Sequence, residues 1–521
     1  MYFQCTLCGI SRPTWKDPAF EICKLHRHDI EEFLGDPFAE NVGGKKETQT
    51  SSSEPISEEN REKITLSEAK SSISPDNYEK MMPEKLDGLK KTIDSNFQKR
   101  SFAIEAGLSV KAQMMIEGAT QVFPLIFMGN PSTYKSTILE IISSLPGCYL
   151  SDSFTPRSFV SHAANKSKAE LTKVDLLPQI KAKTLITPEL APMFSGNPDQ
   201  IQENFGILTR VLDGRGLQTN SGVHGQRGYQ GDYSFTWLGA VIDIPHRVWR
   251  LLGNLGPKIY FLRLPQDERS DEEKQKDLKR ELTENCYSDK LSRSKDAVQE
   301  FWNEVLKNPS LTEGKIKWDG SKDNEATLDI ITQLADLLSS LRATVPTWNT
   351  YDSGGSNYNF EMPIKENPSR AATALYNLAR GHAVLNGRNY IVKDDLRMVV
   401  PVALSSASRE RVELFKLLIS NGGSLNTREF MEKAQTSRDT ALKEMSLLPI
   451  VGLADKQEES GVTKPITSIR LKEKFKWCLT PEFASYADQT GGSHTSNFSR
   501  LSTDKESKQE TLLVEISMPN D

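Results

Sequence analysis

Three short apolar runs stand out between residues 84 and 265: FPLIFMG at 123–129, KTLITPEL at 183–190 and YSFTWLGAVIDIP at 233–245. Apolar runs of this length, separated by helical stretches, are the pattern of strands buried on both faces, because a parallel sheet covered by helices leaves no polar side. The span 84–265 therefore reads as an α/β core. From 266 to 325 the chain is charged and helix-forming, and ATLDIITQLADLLSSLRATV then restores an apolar face at helical spacing. A loop rich in Gly, Asn and Ser, NTYDSGGSNYN, leads to another helix from Pro368 and to GRNYIVKDDLRMVVPVAL, which makes 266–407 a second, helical unit.

The pattern changes again at residue 408. RERVELFKLLISNGG is a helix ended by glycines, NTREFMEKAQ opens on a capping residue, and SRDTALKEMSLLPIVGLADK has Ser437 placed as the cap of a third helix. ITSIRLKEKFKWCL then alternates like a strand, so 408–486 has the element order of a winged helix-turn-helix. Residues 39–83 are rich in Ser, Glu, Lys and Thr and read as a flexible linker, and the polar tail 487–521 as disordered. The first 38 residues form a small segment of their own.

A chain of 521 residues exceeds one core, in keeping with these several units. The net charge of −5 excludes an overall basic field, so any contact with nucleic acid has to be local. No apolar run resembles a signal peptide or is long enough to cross a bilayer, which sets the expectation of a soluble, cytoplasmic protein without membrane contact. Three of the six cysteines fall within the first 23 residues. Cys5, Cys8, Cys23 and His26 give C-x2-C-x14-C-x2-H, with His28 as an alternative fourth donor: two close pairs that can surround Zn²⁺ tetrahedrally.

The stretch GNPSTYKST, from Gly129 through Asn130, Pro131, Ser132, Thr133, Tyr134, Lys135 and Ser136 to Thr137, follows an apolar strand and opens a helix. A phosphate loop needs a turn of inward N–H groups, a lysine for the β and γ phosphates, a hydroxyl for Mg²⁺ and a helix N-terminus facing the anion. Gly129, Lys135 and Ser136 meet those needs, whereas Tyr134 stands where the template G-x-x-x-x-G-K-[ST] has glycine. Further on, Glu189 ends an apolar run as a general base does, with Pro188 where aspartate usually precedes it. Thr236 in the next strand is the candidate for sensing the γ phosphate, and the polar hairpin between them carries Arg215, His224 and Arg227. In the last unit Arg438, Thr440 and Lys443 belong to the candidate recognition helix, and Arg470, Lys472, Lys474 and Lys476 to a basic wing, a local stripe suited to DNA.

The order of phosphate loop, acidic strand, helix with inserted hairpin, sensor strand and helical lid resembles the AAA+ ATPases, in the branch of MCM-type helicases and MoxR-like ATPases. ENPSRAATALYNLARGHAVLNGRNYIVKDDLRMVVP is similar to the lids of that branch, and the resemblance makes Arg370 the arginine that reaches the γ phosphate. HRVWRLLGNLGPKIYFLRLP resembles the stretch presenting an arginine finger to a neighbouring subunit, with Lys258 in that place and Arg247 and Arg250 nearby. Residues from about 100 to 480 also resemble prokaryotic ATP-binding proteins with the same winged-helix end. The resemblance implies ATP and Mg²⁺, a ring-shaped homo-oligomer, a hexamer by expectation, and an ATPase that remodels or translocates DNA, the hairpin facing the pore. A nucleotide-gated DNA-binding regulator and a MoxR-like protein-remodelling chaperone are the alternatives, and the winged helix and the zinc segment could each dock a protein. Tyr134, Pro188 and Lys258 together imply weak or partner-dependent hydrolysis.

Overall fold

The computed structural model describes residues 3–4, 11–12, 73–119, 123–161, 167–221, 225–255, 258–265, 270–284, 286–352, 355–459 and 466–487. The chain divides into two units, Met1–Thr65 and Leu66–Asp521. In the first, Phe3–Gln4 pairs antiparallel with Ser11–Arg12. Cys5, Cys8, Cys23 and His26 lie outside the described residues, as do the tail from 488 and the linker from 39 to 72.

The second unit opens with helix α1 (Pro75–Asn96), started by the Ser74 side chain accepting from the Asn77 amide and by proline in the first turn. Tyr78, Met82, Leu86, Leu89 and Ile93 are buried along it at helical spacing. The last nine residues of the expected linker are thus helical. Their polar composition hides an apolar stripe that only the three-to-four-residue period reveals. Helix α2 (Ser101–Ala112) follows and is buried on nearly every side.

The core is a five-stranded parallel sheet of β1 (Phe123–Met128), β2 (Cys148–Leu150), β3 (Thr184–Thr187), β4 (Thr236–Val241) and β5 (Tyr260–Arg263), in the order β2-β3-β4-β1-β5. Every residue of β1 is buried. Leu125 and Phe127 join one apolar cluster with α2 and with helix α3 (Lys135–Ser143), while Ile126 and Met128 join a second cluster on the opposite face. The two-residue period of a strand feeds both cores, which is why the run shows no polar alternation.

Helix α4 (Pro198–Val211) leads to the hairpin Gly216–Ser221 with Gly225–Gln230, and helix α5 (His246–Leu255) precedes β5. Beyond the sheet come α6 (Tyr287–Leu306), α7 (Glu325–Arg342), α8 (Ser369–Leu385) and α9 (Leu396–Ser405). The Gly/Asn/Ser stretch expected as a loop forms a further pair of antiparallel strands, Thr347–Asp352 with Gly355–Phe360, in keeping with the strand preference of its Thr, Trp and Tyr residues. Next come α10 (Arg409–Ser420), α11 (Thr427–Ala434) and α12 (Arg438–Ile450) against a small antiparallel sheet of β6 (Ser424–Asn426), β7 (Ala454–Glu459) and β8 (Ile466–Leu471), ordered β6-β8-β7, and a further helix spans Pro481–Ala487. The expected strand stops at Leu471, and Glu473–Leu479 forms a 3-10 helix that buries Phe475 and Cys478, three residues apart.

Helix α8 is joined to α2 by close approach and by buried charge. A Cβ on Gly381 would lie 2.0 Å from the Ser109 carbonyl oxygen, so only glycine lets the two backbones meet there. One residue on, the fully buried His382 bonds Asp395 Oδ1 at 2.6 Å through Nδ1 and Glu105 Oε1 at 3.1 Å through Nε2. Arg388 grips Asp395 with two bonds of 2.8 and 2.9 Å, while Arg397 and Lys90 approach Glu105 at 3.0 and 3.4 Å. Burial opposes the charged imidazole, but the hydrogen bonds and charges of the two carboxylates outweigh it and raise the His382 pKa. Burial likewise opposes both carboxylates, yet the paired cations hold Asp395 below its ordinary range and Glu105 down to about 2.

Asp395→Ala strands two cations in the interior and is expected to cost about 3–5 kcal/mol in denaturant unfolding. Because the folded pKa of His382 is raised, its contribution is complete below the unfolded value of about 6.5 and is lost as pH rises through the folded one. Wild-type stability should therefore decline above that pH, and His382→Gln should flatten the decline. Glu105 and Asp395, both lowered, act oppositely, contributing above about pH 4 and failing as pH falls through their folded values.

Candidate functional site

The loop 129–134 leaves the C-terminal end of β1 and enters α3. The Gly129 amide donates to the Ile242 carbonyl at 3.1 Å, tying the start of the loop to the chain just beyond β4. A Cβ on Gly129 would meet Thr133 Oγ1 at 2.8 Å, so the tight curl depends on glycine. Thr133 Oγ1 donates to the Asn130 carbonyl at 2.8 Å and closes the turn. Asn130, Pro131, Ser132 and Ser136 are exposed, whereas Thr133 and Thr137 are buried. Lys135 Nζ lies over the loop and donates to the carbonyls of Gly129 at 2.8 Å and Asn130 at 2.7 Å.

Tyr134 takes the backbone conformation that glycine would supply, with φ 62° and ψ 21°, and Ser132 has φ 63°. A left-handed conformation costs a residue with a Cβ about 1 kcal/mol. The tyrosine ring offsets part of this by packing on Phe97 at 5.2 Å between centroids, and Phe97 also meets Tyr287 edge-on at 6.0 Å. The Tyr287 hydroxyl shares a 2.9 Å hydrogen bond with Thr137 Oγ1. The loop is thus braced from outside by the segment joining α1 to α2 and by the start of α6.

Burial lowers the Lys135 pKa, and the nearby Glu189 and Arg100 act on it with opposite signs. Glu189 is exposed just beyond β3, and its Oε1 accepts from the Ala191 amide at 2.7 Å. Loop, glutamate and lysine therefore share the C-terminal edge of the sheet, where α/β folds bind ligands.

Three expected residues stand elsewhere. Thr236 is the first residue of β4, paired with Phe123 at the start of β1, about 16 Å of strand from Val241. It is 2% exposed and bonds Thr184 Oγ1 at 2.9 Å, a contact between neighbouring strands at the wrong end for a γ-phosphate sensor. The polar residue beyond the correct end of β4 is Asp243, which lines a pocket with Gly129, Asn130 and Arg263. Counting from where the apolar run ends would have found it. Lys258 does not project as a finger: it is 7% exposed, and its Nζ donates to the Thr209 carbonyl and to Asp213 at the end of α4. Arg370, exposed on the first turn of α8, exerts its charge on Lys258, Tyr260 and Glu366, toward the N-terminal end of β5 and away from the loop of its own chain.

Arg100 was missed altogether, since an isolated arginine between two helices carries no motif. It is 5% exposed, its amide donates to Asp94 Oδ1 at 2.9 Å, and its charge acts on Lys135. The cations of the last unit are largely paired. Lys472 lies 3.6 Å from Asp455, Lys474 2.6 Å from Asp336 on α7, and Lys476 2.7 Å from Glu473. Lys474 and Lys476 sit in the 3-10 helix, off the strand expected to align them, while Arg470 is on β8. Arg438, Thr440 and Lys443 lie in the first half of α12, where the Thr440 amide donates to Ser437 Oγ at 3.3 Å. In the hairpin, Tyr229 donates to Asp175 at 2.8 Å and anchors one strand, while His224 is outside the described residues. Among the described residues no group of three or more His, Cys, Asp or Glu could hold a metal ion, and no helix is long and apolar enough to cross a membrane.

Tyr134→Ala removes the ring but keeps the strained backbone, whereas Tyr134→Gly removes both. The glycine variant should be the more stable of the two by about 1 kcal/mol in denaturant titration; equal stability would show that the loop relaxes away from positive φ.

A family model of the AAA lid domain matches residues 366–410, from the segment before α8 to the start of α10. No curated protein matches the chain. The lid match and the central parallel sheet with its flanking helices together support an AAA+ ATPase.

Proposed function

We propose that the chain binds ATP at the loop 129–137 and couples its hydrolysis to the remodelling or translocation of DNA, in the manner of the MCM and MoxR-like branch. The observation that carries this reading is the meeting of Gly129, Lys135, Glu189 and Asp243 at one edge of the parallel sheet. The start of α3 and Lys135 would hold the phosphates, the lysine exchanging its loop carbonyls for phosphate oxygens. Glu189, beside Lys135, would accept a proton from the attacking water. Mg²⁺, when bound, neutralises phosphate charge, and the exposed Ser136 and the carboxylate of Asp243 are the oxygen donors suited to it. Pro188 supplies no carboxylate, so turnover is expected to be slow. Arg370, exposed away from its own loop, is suited to a neighbouring subunit, consistent with the oligomeric rings that AAA+ proteins commonly form. Cys5, Cys8, Cys23 and His26 suit a structural zinc ion by their spacing.

The last unit, whose α10, α11 and α12 pack against a three-stranded sheet, is in this reading a winged helix-turn-helix, with α12 and Arg470 toward DNA. A second reading, in which the last unit docks a protein and the substrate is protein, draws support from the pairing of Lys472, Lys474 and Lys476 with carboxylates, which leaves less free cationic charge for phosphates.

Lys135→Ala is expected to abolish nucleotide binding in a fluorescent-nucleotide titration; unchanged affinity would remove the site. Glu189→Gln should retain binding and lose about 100-fold in hydrolysis. Comparing ATPase rates with and without DNA separates the functions: stimulation supports the motor, bound DNA without stimulation the regulator, and absence of DNA binding a protein substrate.

A further inference from the structure

A pocket opens beside the start of the loop, where Gly129 and Asn130 meet Asp243 beyond β4 and Arg263 at the end of β5. Its opposite wall is α10, the helix that leaves the lid and opens the last unit, contributing Arg409, Val412, Glu413 and Lys416. These four positions follow the three-to-four-residue period of a single helix face. Three cations and two carboxylates line the pocket, giving it a net positive character next to the residues that would cradle phosphates.

Each cation is held differently. Arg263 donates to the Ala407 carbonyl at 3.1 Å and lies over the Trp249 ring at 6.0 Å. Its backbone amide donates to Ser405 Oγ at 3.1 Å, while Phe261 donates to Ser406 Oγ at 2.9 Å, so the end of α9 is fixed to β5. Lys416 is 8% exposed and lines the pocket from α10. Arg409 is exposed at the first turn of α10. The charges of Arg409, Asp243 and Glu413 all act on Arg263, so the pocket is one electrostatic unit spanning sheet and α10.

We propose that Arg409 and Lys416 bind the terminal phosphate of a nucleoside triphosphate held by the loop 129–137, so that the bound nucleotide fastens the last unit to the ATPase core. The inference rests on the nucleotide reading given above. A triphosphate bridges loop and α10 through charge-assisted hydrogen bonds; a diphosphate, lacking the terminal group, leaves α10 held by protein contacts alone. The last unit thereby reports which nucleotide is bound, and conformational information passes to it through α10 and not through the lid helices.

The test uses the full chain with fluorescent ADP and a fluorescent, slowly hydrolysed ATP analogue, together with hydrogen exchange of residues 409–420. Wild type should prefer the triphosphate by about tenfold, the value of a charge-assisted hydrogen bond or two. Triphosphate should also slow exchange in α10 more than diphosphate does. Arg409→Gln, at an exposed position, should keep diphosphate affinity, lower the preference severalfold and shrink the difference in exchange; Lys416→Met should do the same if it folds. An unchanged preference in Arg409→Gln overturns the proposal while leaving the nucleotide site intact. Failure of the wild type to bind either nucleotide overturns both readings.

Discussion

The parallel pairing of β1 between β4 and β5 is the constraint on which the rest depends. It aligns Met128 with Val241 and with Arg263, so three chain segments emerge side by side at one edge. From those exits come the loop with Lys135, Asp243 and the Arg263 side chain. None of these residues is close to another in sequence. A shift of one residue in β1 would exchange Ile126 and Met128 with Leu125 and Phe127 between the two apolar clusters, so the same burial that stabilises the sheet fixes the register of the site.

Around this edge the protein accepts local costs that distant packing offsets. Tyr134 and Ser132 hold left-handed conformations, and the aromatic brace comes from Phe97, between α1 and α2 before the sheet, and from Tyr287, at the start of α6 after it. Burial opposes the charged form of His382, and carboxylates from α2 and from the turn before α9 offset that opposition. In both places a strained group is kept in position by contacts distant in sequence.

Much of this was legible in the chain. The three apolar runs gave the strands β1, β3 and β4, and Gly129, Lys135 and Glu189 were found by spacing and fell at one edge. Thr236 misled because it stands near the start of its apolar run, whereas ligands in a parallel sheet sit where such runs end; its pairing with Phe123 places it at the opposite edge. Lys258 was placed by analogy, and nothing local announces Asp213 as its partner forty-five residues earlier. The helical end of the linker was obscured by composition, and the alternating lysines after Leu471 by a 3-10 turn whose three-residue period brings Phe475 and Cys478 inward. Arg100 and the pocket wall on α10 exist only once helices far apart in sequence are packed on the sheet.

The close approach of Gly381 to Ser109 also limits motion. With α8 and α2 in backbone contact and their buried charges interlocked, the lid cannot swing on the core without breaking both. Ser405 and Ser406 extend that fixed body along β5 to the end of α9. Ala407 is buried and its carbonyl accepts from Arg263, so the fixed body reaches the root of α10. In mechanical terms the sheet, α2, α8 and α9 act as one block, and α10 is rooted in it at Ala407 and again through Arg411, which donates to the Leu341 carbonyl.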